Sequence, residues 1–412
     1  KIGLAPSPQL LINTRFPEYP YINFAPALGF NLRDGFMIGL SMYNTPIPAR
    51  DWEYAIAAMF GTKSLTAVGV GELRRNFFPK SGAFQHWSIG LGLKSFNGFD
   101  NKTFDYHLRY TRINPNVEWI FRKKEARDYK SHKLRLGNLF IVEEDESFER
   151  PDTVTLFLGK TNQLRTTHRL THTYNNKQPI APFSITSTAE YANYFDKGRD
   201  TTRHYLKLTV EGKFKFYYGK HWAADLRIFM GGFPVHTDRD FGDFPLHLAS
   251  RNSNDYHYDE YILGRRSSNT VWENQMNLRE GGFKTPVAIA QSLADGRSNS
   301  FIFAINFKAD IPILLPFRLS WLKLKPYLDL GYYQNTAPSV QIQSISEQIF
   351  FNGGLMVDVW DGVAGLYLPF FSSNNLGTLL KQRGNFLNQI SFSINLARLH
   401  PKKVAEEILG SY

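Results

Sequence analysis

Apolar side chains recur at every second position over long stretches of this chain. Toward its C-terminal end, Ile390, Phe392, Ile394 and Leu396 are interleaved with Ser391, Ser393 and Asn395. Phe301, Phe303, Ile305 and Phe307 alternate with residues that include Ala304, Asn306, Lys308 and Asp310. Leu206, Leu208, Val210, Phe214 and Phe216 alternate with Lys207, Thr209, Glu211, Lys213 and Lys215. A period of two places alternate side chains on opposite faces of a strand. One face of each segment is apolar and aromatic-rich, the other polar or charged. Long strands committed on both faces and separated by turns predict an all-β fold. The specific expectation is a transmembrane antiparallel β-barrel, with lipid outside and a polar lumen inside.

The same pattern divides the chain. Residues 1–19 carry Pro6, Pro8 and Pro17 without a sustained period and read as an N-terminal linker. A barrel is expected over 20–398. Its first two strands, near Tyr21–Asn31 and Gly35–Asn44, are joined by a turn in which Asp34-Gly35 suits a hairpin. Phe36, Ile38, Leu40 and Met42 share one face of the second. Around Phe84–Phe96, the apolar Trp87, Ile89, Leu91 and Leu93 face away from Ser88, Gly90, Gly92 and Lys94. Small inward residues there leave room in the interior. Glu149–Asn176 is ambiguous, with a possible strand at Thr153–Leu158, and Leu387–Leu396 is the last strand expected. Phe233–Asn269, dense in Asp, Arg, His and Asn, is the longest loop candidate, and such loops are usually functional or a plug. Residues 399–412 form a short amphipathic tail. About fourteen spanning strands are expected, within twelve to sixteen, since single-chain bacterial barrels favour an even number.

Composition sharpens this picture. The 412 residues are 21% charged, which a barrel tolerates because only alternate strand residues meet lipid. Aromatic residues make up 15%, as girdles at two membrane interfaces would require. No stretch of 18 predominantly apolar residues exists, so a transmembrane helix is not expected. The chain opens at Lys1 without a signal peptide, which suggests a mature product or a C-terminal piece. Cysteine is absent, ruling out disulfides and thiolate metal sites. The net charge of +11 points to a polyanionic partner. With basic residues spread over strands and turns and no nucleic-acid module, nucleic acid is not expected. Outer-membrane lipids and lipopolysaccharide fit better; a solvated lumen and loops are the alternative source of the charge.

Candidate chemistry is sparse. There is no H-E-x-x-H, no Walker-type loop and no G-x-S-x-G, so no catalytic residue is assigned and the chain is expected not to be an enzyme. His168 and His172 are spaced i, i+4 but lie in a strand-prone, Thr-rich run without a third ligand, and read as solvated. Asp238, Asp240 and Asp243 offer three carboxylates to a calcium ion. Their alternative is pairing with Arg239, Arg251, Arg265 and Arg266. No other cofactor is implied. The acidic Glu143, Glu144, Asp145 and Glu146 and the basic Arg122, Lys123 and Lys124 read as charged turns at strand ends. Lys207, Glu211, Lys213 and Lys215 are expected to pair across neighbouring strands.

The order of several segments resembles a known arrangement. They are F-A-P-A-L-G-F-N-L-R-D-G-F-M-I-G-L at Phe24–Leu40, D-Y-H-Y-D-E-Y-I-L-G-R at Asp255–Arg265, E-G-G-F-K at Glu280–Lys284 and S-F-S-I-N-L-A-R-L-H-P-K-K at Ser391–Lys403. Together they resemble the C-terminal barrel region that follows an aminopeptidase N-like (gluzincin) metallopeptidase domain in Bacteroidetes-type envelope proteins. The resemblance implies a bacterial outer-membrane barrel that anchors or scaffolds a metallopeptidase-like domain or a larger envelope assembly. The zinc helix of such peptidases would lie upstream, so no catalytic residue carries over. The alternatives are a channel or transport barrel for small solutes or lipids, and an enzyme with a site at the barrel mouth. Other outer-membrane or periplasmic proteins are the expected partners. Tyr256, Tyr258, Asp259, Glu260, Tyr261, Arg265 and Arg266 are the candidate partner or plug residues. In an extended stretch, Tyr256, Tyr258 and Glu260 would share one face and His257, Asp259 and Tyr261 the other. Gly281-Gly282 permits positive φ or close backbone approach.

Overall fold

The computed structural model describes residues 22–44, 50–101, 106–125, 127–149, 156–196, 201–219, 222–237, 244–252, 254–267, 270–285, 296–312, 322–334 and 344–396. The linker 1–19, the tail 399–412 and the calcium candidates Asp238, Asp240 and Asp243 lie outside them. The first half of the chain forms β1 (Asn23–Asn31), β2 (Gly35–Tyr43), β3 (Trp52–Gly61), β4 (Ala67–Phe77), β5 (Phe84–Asn101), β6 (Tyr106–Phe121), β7 (Lys130–Glu149) and β8 (Leu156–Asn176). It continues with β9 (Phe183–Asp196), β10 (Thr201–Tyr217) and β11 (Ala223–His236). After an inserted segment come β14 (Phe301–Ala309), β15 (Leu322–Tyr333), β16 (Ile349–Val359), β17 (Ala364–Ser372) and β18 (Ser391–Ile394). These sixteen strands make one antiparallel sheet in chain order, at the upper end of the expected range. The short β12 (Leu246–His247) and β13 (Arg297–Ser298) pair separately within the insert.

One segment shows that this sheet is curled. The insert after β11 bonds to Leu32 beside β1, to Lys94 on β5, Arg112 on β6, Arg169 on β8, Arg227 on β11, Asp329 on β15 and Ser391 on β18. Within it, Trp272 alone lies 6.3 Å from Phe30 on β1 and 6.2 Å from Phe392 on β18, so the two ends of the sixteen-strand sheet come together around the insert and the sheet is a barrel. The connections that follow odd-numbered strands from β1 to β11 share the end of the barrel from which the insert departs, here the loop end. Those between β2 and β3, β4 and β5, and so on share the opposite, turn end.

Alternation sorts the side chains as the sequence pattern requires. Phe36, Ile38, Leu40 and Met42 of β2, Ile89, Leu91 and Leu93 of β5, and Leu208, Val210 and Phe216 of β10 are all exposed on the outer wall. That continuous apolar belt is the surface of a membrane-spanning barrel. Among the described residues no helix is long and apolar enough to cross a membrane.

The inner wall differs from the expected polar face. At the loop end Tyr194, Tyr205, Phe229, Phe233, Ile302, Ala304, Tyr333 and Phe350 point inward and bury Phe244, Leu246, Leu248, Met276 and Phe283 of the insert. Leu376 and Leu380 of α1 (Asn374–Gln382) join them. A lumen filled by chain behaves as a protein core, and inward apolar residues are stabilised there by burial.

One ambiguity is resolved and two further expectations are corrected. The ambiguous Glu149–Asn176 contains β8, and Thr- and Arg-rich residues suit it because its inner face meets polar neighbours. Leu387–Leu396 is not one strand. Asn385 caps α2 (Phe386–Gln389) by accepting from the Asn388 N–H, and pairing begins only at Ser391. Glu143–Glu146 do not form a turn but lie within β7, where Glu143 meets Arg165 and Glu144 meets Lys160 on β8, while Arg122–Lys124 lie at the opposite, turn end.

Candidate plug and seam

The insert is held in the lumen by charge as well as by packing. Asp255, buried, accepts the N–H groups of Asp259 (3.0 Å) and Glu260 (2.9 Å) and pairs with Arg265 at 2.8 Å. That local ring replaces the extended, two-faced arrangement expected for Asp255–Arg265: Tyr258 takes a positive φ of 54° and the chain turns instead of alternating. The Arg265 guanidinium lies 4.6 Å from the centre of the Tyr258 ring, which stacks on Tyr110 of β6 at 3.7 Å. Asp259 reaches three guanidinium groups: Arg112 at 2.6 Å, Arg279 at 2.9 Å and Arg169 at 3.2 Å. Burial works to raise its carboxyl, but Arg279, Arg169 and Arg112 outweigh burial and hold it well below the carboxylate range. Glu260 pairs with Arg279 at 2.6 Å, and Arg266 is exposed.

A second knot forms around Glu190 on β9. It meets Lys207 of β10 at 2.8 Å, Arg169 at 2.9 Å, the Tyr205 hydroxyl at 2.9 Å and His257 Nε2 at 2.9 Å. Tyr256 takes a hydrogen bond from Lys207 and packs on Phe244. Burial pushes the His257 imidazole down to about 4 against the opposing pull of Glu190, so at neutral pH Nε2–H donates to that carboxylate. On the far wall, Lys284 and Asp329 pair at 2.5 Å, and Asn306 donates to the same carboxylate at 2.9 Å. Gly281 lies so close to Leu248 that a Cβ would sit 2.7 Å from its backbone, and Gly282 has φ +67°. Both properties that the Gly-Gly pair permits are therefore used. Buried pairs of this kind add little net stability but fix one arrangement, because removing one partner strands a charge.

Among the described residues no pairing joins β18 to β1. Instead, the Tyr261 hydroxyl accepts from the Phe30 N–H (3.0 Å) and donates to the Phe30 carbonyl, and the Leu32 N–H bonds to the Leu263 carbonyl at 2.8 Å. On the other side, the Met276 N–H donates to the Phe392 carbonyl at 2.7 Å. The Gln275 side chain joins the two halves, accepting from Leu263 N and donating to Tyr261 O, both at 2.8 Å. Trp272 fills the space between, 6.3 Å from Phe30 and 6.2 Å from Phe392. Since Phe30 directs its N–H away from β2, alternation directs those of Phe24 and Leu28 to the seam as well. Pro26, which has no N–H, shares that parity and blunts the edge.

On the turn side of the plug the lumen opens into a cavity of about 1760 Å³. Lys207 pairs across to Glu190 and Glu211 across to Arg227, as the cross-strand reading requires, whereas Lys213 pairs with Glu211 of its own strand. His168 and His172 lie on β8, bonded to Asn138 and His132 respectively, and do not converge. Among the described residues no group of His, Asp and Glu is arranged to hold a metal ion.

Sequence reading missed Glu190, Arg169, Lys284, Asp329 and Trp272. Inward parity in the strands marks Glu190, Arg169 and Asp329 as lumenal, whereas Lys284 lies in the insert and has no such signal. Nothing local marks Trp272, whose role comes from the closing geometry of the barrel.

No family model and no curated protein matches the chain. Among solved structures, it is similar to BamA from Haemophilus ducreyi lacking POTRA domains 1–3, with a TM-score of 0.44, 10% identity, and coverage of 86% of this chain and 66% of that one. CdiB from Acinetobacter baumannii gives 0.42 and 7%, with 86% and 57% covered. This chain thus spans less than two thirds of either. Likenesses this remote carry no functional weight. The apolar belt and antiparallel spans are what place the chain in a bacterial outer membrane.

Proposed function

We propose that this barrel acts on other proteins at its seam, accepting an extended segment of a partner or client chain by strand addition, while the plug keeps the lumen from serving as an open pore. The carrying observation is that β1 and β18 are bridged by Tyr261, Leu263, Gln275 and Met276 and not by each other. An open strand edge is a template for pairing. At membrane depth an unpaired N–H costs several kcal/mol, so such an edge favours a partner. The anchor role suggested by the metallopeptidase resemblance is a separate proposal, compatible with a filled lumen; a native polypeptide far heavier than 47.4 kDa would support it.

The seam reading is tested by a photo-crosslinking amino acid placed at Leu28, on the β1 edge, or at Leu91, on the continuous wall, in cells of the native host. Protein adducts from Leu28 and none from Leu91 are expected. Equal yields at the two positions, or none at Leu28, would contradict it.

A further inference from the structure

Gly92 on the inner face of β5 opens a second cavity, separate from the seam and from the large lumenal space. Pairing sets its geometry. Arg74, Gly90, Asn116 and Gly137 lie in one row across β4 to β7, and Glu72, Gly92 and Asn114 in the next. Val70, Lys94 and Arg112 form a third. Because Gly92 brings no side chain, the wall there is bare backbone, and a space of about 270 Å³ remains, rimmed by Arg74, Lys94, Arg112 and Arg135, while the Asn116 and Asn114 side chains lie over Gly90 and Gly137. A Cβ at Gly92 would meet nothing nearer than Asn114 at 3.7 Å, so the room is real. Pro115 has no N–H to give, and the β6–β7 pairing skips it together with Asn114.

The charge of this space is unbalanced. Glu72 and Glu118 attend Arg74, Glu118 also meets Lys133, and Asp259 attends Arg112. Neither Lys94 nor Arg135 has a carboxylate within 4 Å among the described residues; Lys94 donates only to the Tyr258 and Asp259 carbonyls, at 2.9 and 3.3 Å. Three buried polar atoms on the lining also lack partners: Arg112 Nε, Asn114 Oδ1 and Asn116 Oδ1. Asn116 is 5% exposed, and buried polar atoms left unpaired are rare because each costs about 1–3 kcal/mol. Unmatched cations call for an oxyanion, and arginine forks match phosphate oxygens in particular. Orphaned amide oxygens call for donors, which hydroxyl groups supply.

We propose that this cavity binds a small phosphorylated polyol, its phosphate held by Arg74, Lys94, Arg112 and Arg135 and its hydroxyls donating to Asn114 and Asn116. The lining comes from β4 to β7 alone, and Lys94 and Arg112 at its rim are also the residues that bond to Tyr258 and Asp259 of the plug. Calorimetric titration of the folded full chain in detergent micelles, at fixed ionic strength, tests this with glycerol 3-phosphate, inorganic phosphate and glycerol. Glycerol 3-phosphate is expected to bind saturably at one site, at least fivefold tighter than inorganic phosphate, with glycerol silent. Arg135→Gln should weaken it at least tenfold. Gly92→Leu, which fills the space without changing charge, should abolish it, and Lys215→Gln in the large lumenal space should leave it unchanged. Heat-modifiability establishes that each variant is folded, and Arg135→Gln decides the outcome if Gly92→Leu does not fold. No saturable binding, an affinity that neither cavity variant alters, or inorganic phosphate binding as tightly as glycerol 3-phosphate would overturn the proposal.

Discussion

Asp259 and His257 are two residues apart in the insert, belong to no spanning strand, and respond to acid in different windows. His257 has its protonation midpoint lowered to about 4 by burial, below the ordinary 6.5. Between those values the unfolded chain binds the proton and the folded chain does not, so stability falls as pH drops from 6.5 to 4 and levels off below. Asp255 and Asp259 are held below the ordinary 3.8 against burial, chiefly by Arg265 for the first and by Arg279, Arg169 and Arg112 for the second. Their contribution is complete above 3.8 and is lost as pH falls further. Equilibrium unfolding in micelles should therefore show two acid steps, the upper one on the order of 3 kcal/mol. His257→Gln should remove the upper step and keep the lower; an unchanged upper step would contradict the assignment. These residues were visible in the sequence as a dense polar run. Their partners were not, because Arg112, Arg169 and Glu190 come from three strands that only the closed sheet brings together.

Strands were the most legible elements, since a period of two is written directly in side-chain type. Leu208 and Thr209 on β10 illustrate it: Leu208 is exposed on the outer wall, and Thr209 lines the large lumenal space. Leu208→Arg places a charge against lipid and should cost roughly 2–4 kcal/mol near the midplane, reducing membrane yield, while Thr209→Arg should assemble normally. Equal yields would invalidate the facing of the strand. Legibility ended where the lumen is filled. Apolar Leu376 and Leu380 lie in α1, which covers the loop end, and the run that precedes β18 spends its first residues in α2. Helical turns that depend on an interior to pack against leave no strong local signal of their own. The insert departs from extended alternation for a similar reason: Asp255 draws back the Asp259 and Glu260 N–H groups, and Arg265 with them.

At the scale of the whole molecule, what distinguishes this barrel is how it closes. Among the described residues fifteen successive antiparallel pairings run from β1 to β18, and in place of a sixteenth the plug bridges the two ends. β18 is only four residues long, and the Tyr261, Gln275 and Trp272 side chains span the gap it leaves. The plug is thus both the filling of the lumen and the seal of the wall, and freeing the seam requires moving the same segment that the Asp259 and Glu190 knots hold. Amide exchange along β1 in the folded protein reads this arrangement residue by residue. Leu28, directed at the seam, should exchange at least a hundredfold faster than its neighbours Ala27 and Gly29, which bond to β2, with Phe30 protected by Tyr261. Uniform protection of Ala27 through Phe30 would mean that β1 is paired on both sides and that the barrel has no seam.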